Sequence, residues 1–497
     1  MKAFSRLNHI PPLIRFILLG SILELLYTLL CPLFPFQTSY PTFSLSSMKW
    51  LVIITSDQSL LSKISVSGTP FINTGSSPLF LTMVLIALAS IYLIIVANAF
   101  QADNNLHLTS RWLILPLIGA LTFGLTLLVL PALFNHDVQN NIDKSVSLLF
   151  HLINCFLLWM ILSRLAPARR LGGTILYAWN PLILIELVGN GHSYGLLIFV
   201  LLLTTLFIMQ NKSQWYELWA MIFLGCASGF NLISLLLAPM FIYYCAMRIT
   251  RQHTGSVAYA HSDQIITANP PATKSWSNNH PRLLWEFVWR AAVVSLTASI
   301  LYSIFWPRGS FYMFITSSFD MRYLMHSPLS IIVLPVQWLN ARIFHMLNPS
   351  NTLPPNYLQA IPSANMAVQA SAIFIFILLY IYLFGKIRSV DSLLASLCLA
   401  ILGFLILLVV QFWPWYVIWM LWIVALRRSD ALSIGILLFS CTALLTYPFL
   451  YANSVPITMY QPLLIFGIPL IYLIARLARS NERMILFDDR RSETAKN

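Results

Sequence analysis

From residue 14 to residue 476 the chain repeatedly runs through long apolar stretches separated by short basic ones. About 20 such residues are what an α-helix needs to cross a bilayer. Within hydrocarbon every backbone N–H and C=O must be bonded inside its own segment, which restricts these stretches to helices. Composition agrees, with 58% hydrophobic and 9% charged residues against roughly a quarter charged in a soluble domain. A soluble fold is excluded. The 29 Lys+Arg exceed the 16 Asp+Glu, but they lie in pairs between apolar runs and form no basic patch. No nucleic-acid partner is therefore expected, and the pairs read as topology signals for a chain whose partner is the lipid bilayer.

The fold class expected is an all-α polytopic membrane protein of about 13–14 transmembrane helices, both termini cytoplasmic. Spans are expected at 14–34, 79–100, 112–134, 147–163, 171–188 and 194–210, then two short helices within 217–247 interrupted at Ser228-Gly229. Further spans follow at 291–306, 366–385, 390–410, 414–426, 431–450 and 457–476. Residues 1–247 form an N-terminal transmembrane module with a first outer loop at 35–77, and 248–290 a flexible cytoplasmic loop rich in Ser, Asn, Thr and Pro. Residues 291–480 form a C-terminal transmembrane module with an outer section at 307–365, and 481–497 a cytoplasmic tail. The basic head and long apolar run of the first segment read as a retained anchor. The six cysteines stand singly in or beside apolar stretches and read as packing residues.

Topology sorts the acids. Asp57, Asp137, Asp143 and Asp320 fall outside, Glu24 and Glu186 fall within helices, and the other ten fall inside. An acid at the centre of a span costs about 2.5–3.5 kcal/mol on insertion scales. Glu24 and Glu186 are therefore functional candidates by position, or else protonated acids hydrogen-bonded to a neighbouring helix. The densest polar cluster is Trp179-Asn180-Pro181, then Glu186, then Gly189-Asn190-Gly191-His192-Ser193-Tyr194. Glu186 and Asn190, four apart, share a helix face and build a polar pocket at the outer mouth, unless the segment is a helix C-cap with a satisfied histidine. A second cluster, Gln411-Phe412-Trp413-Pro414-Trp415-Tyr416, offers aromatic faces and an amide suited to sugar rings, or an interfacial aromatic belt. Trp306-Pro307-Arg308-Gly309 repeats the theme, with Arg308 placed to meet a phosphate.

Tyr177-Ala178-Trp179-Asn180-Pro181 through Glu186 to Gly189-Asn190-Gly191-His192, with Phe305-Trp306-Pro307-Arg308-Gly309, Ser327-Pro328-Leu329 and Trp413-Pro414-Trp415-Tyr416, resemble a known family. These strings look like those of the bacterial polyprenol-phosphate-mannose-dependent mannosyltransferases of the GT-C glycosyltransferase superfamily. The resemblance covers roughly residues 110–430. It implies a GT-C-like fold in a bacterial plasma membrane, with large extracytoplasmic loops and an extracytoplasmic active site. The implied reaction moves a hexose, mannose by the resemblance, from a polyprenyl-phosphate-linked donor to a glycan or lipid acceptor. A lipid phosphate is a good leaving group, so one carboxylate base and one cation would suffice. In such enzymes the base is an Asp in the first outer loop near a helix end. Asp137, beside His136, matches best, Asp57 is the second candidate and Glu186 the third. His136, Asn190, His192, Arg308, Gln411, Trp413, Trp415 and Tyr416 are the expected substrate-binding residues. No cofactor is expected, nor, without an Asp-X-Asp signature in the outer loops, a metal.

The chain departs from that pattern. Ser193-Tyr194 stand where such enzymes continue with Asn-Asp, Asn231 stands where many carry Lys, and an Asp-X-Tyr-X-Tyr pattern is absent around Asp137. Two other readings therefore stand beside the enzyme: a transporter or flippase of a lipid-linked sugar using Glu24 and Glu186 as buried sites, and a catalytically inactive GT-C-like lipid-binding protein.

Overall fold

The computed structural model of the chain describes residues 11–30, 78–105, 109–134, 138–210, 214–231, 233–260, 280–305, 327–329, 331, 346, 362–410, 412–450 and 455–478. Among the described residues there are helices and no strand. In chain order they are α1 (Pro12–Leu30), α2 (Pro78–Asn105), α3 (Ile114–Phe134), α4 (Val138–Leu165), α5 (Arg170–Ala178) and α6 (Pro181–Ile183), which continues as a π turn (Leu184–Gly189). Then come α7 (Tyr194–Met209), α8 (Gln214–Phe230), α9 (Ile233–Ala260), α10 (His280–Phe305), α11 (Pro362–Phe384) and α12 (Val390–Leu407). The last are α13 (Ile418–Leu426), entered through a 3₁₀ turn (Pro414–Val417), α14 (Ala431–Ala443), α15 (Thr446–Leu450) and α16 (Val455–Ala478).

Ten of the described helices are long and apolar enough to cross a membrane, eleven if Pro167–Ala178 and Pro181–Gly189, bent by 43°, count as one span. Every expected span holds a helix. The lower number arises because α7, α8 and the Pro414–Leu426 piece are short, at 16, 17 and 13 residues. Rising about 1.5 Å per residue, they fall short of a bilayer's roughly 30 Å core. Protein, rather than lipid, surrounds the shortest of them. Every residue of α13 is buried, as are eight of the nine in α5. These two helices approach so closely that a Cβ at Gly173 would fall 2.5 Å from the Ala425 carbonyl oxygen. The outer helices do the reverse: Phe374 and Ile381 of α11 and Ile471 and Ile474 of α16 are more than 60% exposed. Unbroken apolar faces of this kind fit lipid contact.

Two boundaries differ from expectation. The break within 217–247 falls after Phe230 rather than at Ser228-Gly229, because those two residues are buried where α8 packs on α10. A Cβ at Gly229 would meet the Leu301 Cβ at 2.8 Å. The stretch 248–290, expected as a loop, is helical at both ends, with α9 running to Ala260 and α10 starting at His280; residues 261–279 lie outside the described residues.

Buried ion pairs close one end of the bundle. Glu217 of α8 joins Arg248 of α9 at 2.6 Å and Arg290 of α10 at 2.7 Å, and Arg248 also donates to the Ile208 carbonyl near the end of α7. Asp103 of α2 accepts from the Leu171 and Gly172 amides, capping the start of α5. Nearby, Arg427 is ringed by Asp430, Asp391 and the Asp391 carbonyl. Burial works against the Arg427 charge, but Asp430 and Asp391 outweigh it and hold its pKa above the ordinary arginine value. Sequence topology puts the charged residues of these pairs on the cytoplasmic side. At their other ends α7 starts at Tyr194, and α5 leads through α6 into the π turn that carries Glu186.

Candidate functional site

Local structure at Trp179-Asn180-Pro181 is made by capping. The Asn180 side chain accepts from the Leu182 and Ile183 amides at 3.0 and 3.3 Å, as an N-cap does, and Pro181 takes the first helical position. Asn180 then donates to the Tyr92 hydroxyl at 3.0 Å and to Ser440 at 3.1 Å, joining α2 to α14. The Trp179 indole donates to the Pro116 carbonyl at 3.2 Å. A side chain at Gly119 of α3 is ruled out, because its Cβ would fall 2.3 Å from that indole nitrogen. This part of the cluster is a structural knot with its polar groups satisfied.

Beyond it the helix widens to a π turn, an irregularity found frequently at functional sites. The Asn190 amide bonds back to the Ile185 carbonyl at 2.8 Å, and the His192 amide to the Glu186 carbonyl at 3.2 Å. Glu186 is fully buried. Its Oε2 accepts from the Asn190 side chain at 2.9 Å and lies 3.3 Å from His192 Nε2. Its Oε1 has no hydrogen-bond partner among the described residues. Such an atom carries the full desolvation cost of a buried acceptor, which natural folds retain for a reason. Gly191, with φ of 72°, turns the chain between Asn190 and His192 in the left-handed region where a glycine carries no Cβ penalty.

Aromatic rings wall this turn. His192 lies 4.7 Å from the Trp415 ring, and Trp415 stacks on Trp413 at 4.8 Å with the planes 5° apart. Tyr194, at the start of α7, lies 5.9 Å from His192 and 6.0 Å from Trp419, which stacks on Tyr416 at 4.6 Å. The structure thus brings together Glu186, Asn190, His192, Trp413, Trp415 and Tyr416 from the two sequence clusters. The indole nitrogen of Trp419, in the first turn of α13, is buried without a hydrogen-bond partner among the described residues. Ser327-Pro328-Leu329 packs nearby: Ser327 donates to the Val409 carbonyl at 2.6 Å, four residues before Trp413.

Asp57, His136, Asp137, Arg308 and Gln411 lie outside the described residues. Glu24 is placed elsewhere, half-buried on α1 and accepting from Thr126 of α3 at 3.1 Å. Missed by the sequence reading is a polar face on α4, which begins nine residues before the span expected from 147. Asp143 and Lys144 are buried against Gly191, and Ser147 donates to the His192 carbonyl at 3.2 Å. His151 bonds the Ala178 carbonyl at 3.0 Å and Asn154 donates to the Gly195 carbonyl at 2.8 Å. The spacing 143, 147, 151, 154 marks one helix face and was the available signal.

No group of three or more His, Cys, Asp or Glu side chains placed to hold a metal occurs among the described residues. Comparison with protein families, with curated proteins and with solved structures finds nothing that matches the chain.

Proposed function

We propose that the protein is a membrane glycosyltransferase, moving a hexose, mannose by the resemblance, from a polyprenyl-phosphate donor to a glycan or lipid acceptor on the extracytoplasmic face of a bacterial plasma membrane. The observation that carries this reading is Glu186: a fully buried carboxylate with one unpartnered oxygen, held by Asn190 beside His192 and a stacked tryptophan pair. It lies at the helix ends opposite the basic pairs, the side where lipid-linked rather than nucleotide-linked donors are available.

In the reaction proposed, a carboxylate takes the proton of the acceptor hydroxyl as that oxygen bonds to the sugar's anomeric carbon, and the lipid phosphate leaves. Asp137 is the leading base, with Asp57 second, and Arg308 would steady the departing phosphate. Glu186 adds a buried acceptor to the site, and the Trp413–Trp415 pair supplies the stacking face.

The transporter reading draws on the same buried carboxylate beside an imidazole, a pairing also used in proton relays within membranes. The inactive reading draws on Tyr194, where the resemblance leads one to expect Asp and where a ring packs between His192 and Trp419.

Membranes containing the chain, supplied with polyprenyl-phosphate mannose and other polyprenyl-phosphate hexoses, should consume at least one donor. Asp137→Asn should lower turnover by about 100-fold or more, the usual contribution of a general base. Equal background turnover by wild type, Asp137→Asn, Asp57→Asn and Glu186→Gln across all the donors defeats the enzyme reading. Movement of intact donor across liposomes without transfer would establish the transporter instead, and donor that co-purifies intact and is never turned over would establish the inactive binder.

A further inference from the structure

We propose that Glu186 and Trp419 bind hydroxyl groups of the sugar ring itself, and so set which hexose the site accepts. The assignment rests on the glycosyltransferase reading. It starts from the polar atoms that this tightly packed region leaves unmatched. Among the described residues Glu186 Oε1 and Trp419 Nε1, both buried, have no hydrogen-bond partner, and His192 Nε2, close to Glu186, is likewise outside hydrogen-bond geometry. The residues are 0% and 7% exposed for Glu186 and Trp419. A continuous set of contacts links them: Glu186 to His192, His192 to Tyr194, Tyr194 to Trp419.

The chemistry of these atoms narrows the ligand. A carboxylate oxygen accepts, an indole N–H only donates, and an imidazole does one at each nitrogen. A phosphate diester offers acceptor oxygens alone, so it could take the indole proton but would bring none to Glu186 Oε1. An ammonium would satisfy Glu186 and leave the indole unserved. A hydroxyl both donates and accepts, so the hydroxyls of a sugar can serve both kinds of atom, giving a proton to Glu186 Oε1 and receiving one from Trp419 Nε1. The parallel Trp413–Trp415 pair, joined to this set through His192, gives the ring an apolar face to lie on. The phosphate of the donor must then sit away from Glu186, and Glu186 acts by recognition rather than as the base.

The test uses the full-length protein in lipid nanodiscs and reads affinity by calorimetry. The probes are short-chain polyprenyl-phosphate mannose, its 2-, 3-, 4- and 6-deoxy analogues, and polyprenyl phosphate without sugar. Wild type should bind at least one deoxy analogue about tenfold or more weakly than the parent, as a lost hydrogen bond to a charged group requires. In Glu186→Gln and Trp419→Phe the difference should shrink to about threefold or less, while sugar-free polyprenyl phosphate binds all three proteins alike. The wild-type measurements stand whether or not a variant folds. Equal binding of the parent and every deoxy analogue by wild type overturns the assignment, and is the result expected if buried water completes these groups. Loss of sugar-free lipid binding in Glu186→Gln also overturns it. Sugar transfer without hydroxyl discrimination removes this assignment and leaves the enzyme, whereas discrimination without transfer removes the enzyme and leaves this assignment.

Discussion

A Cβ at position 191 would have to sit on backbone with φ of 72° and would lie 3.3 Å from the Lys144 Cγ. The left-handed conformation costs a non-glycine residue roughly 1–2 kcal/mol, and the crowding against α4 adds to it. Gly191→Ala should therefore lower stability by about 2 kcal/mol and shift the His192 ring. Gly191→Asn should cost less backbone strain, because Asn tolerates this region. Thermal unfolding of the purified protein in detergent checks both, with Gly191→Ala expected to melt lower than Gly191→Asn. The sequence exposed this site unevenly. The spacing of Glu186 and Asn190 predicts their contact, and the 2.9 Å hydrogen bond is there. What spacing could not convey is that Trp179-Asn180-Pro181, adjacent to them and equally polar, spends its polar groups on caps and neighbouring helices. Partners 88 and 260 residues away decide that, and they leave no local trace.

At the scale of elements, the join between α5 and the π turn is the piece on which the site hangs. Asn180 is its N-cap and ties it to α2 and α14. Loss of an N-cap costs about 0.5–2 kcal/mol, and leaving the Tyr92 hydroxyl and Ser440 short of a partner in the interior adds roughly another 1–3 kcal/mol. Asn180→Ala should thus lower stability by about 2–4 kcal/mol, while Asn180→Asp, which keeps the cap acceptor and loses the donor, should isolate the tertiary part. Comparing the two by denaturant titration or thermal melting would show it: equal losses would mean that the cap itself contributes nothing. Helix positions were legible because apolar length is a local property. The length of α4 was not, since Asp143 and Lys144 look like loop residues until Gly191 is seen packed over them. The π turn was equally invisible, because widening by one residue per turn changes no composition.

At the scale of the molecule, the basic pairs and the candidate site occupy opposite ends of the same helices. Glu217, Arg248 and Arg290 meet at the far end of α7 from Tyr194, and Asp103 caps the end of α5 remote from Glu186. Basic residues favour the cytoplasm, so the Glu186 end should face outward. This assignment underlies the proposed donor, because a site facing the cytoplasm would meet nucleotide sugars and would need no lipid-linked one. Single cysteines in a background lacking the native six test it. Ser193→Cys, beside His192 and half-buried, should react with a membrane-impermeant maleimide added to intact cells. Arg428→Cys, where the native side chain is 31% exposed at the opposite end, should react only after permeabilisation. The reverse pattern would place Glu186 on the cytoplasmic side, and with it would go the polyprenyl-phosphate donor, however well the residues around Glu186 suit a sugar. The buried pair of short helices, α5 and α13, makes the outcome sharp. Within a protein shell α5 leads away from the basic end and α13 returns to it at Arg427, so the two labelling positions should report opposite faces of the membrane.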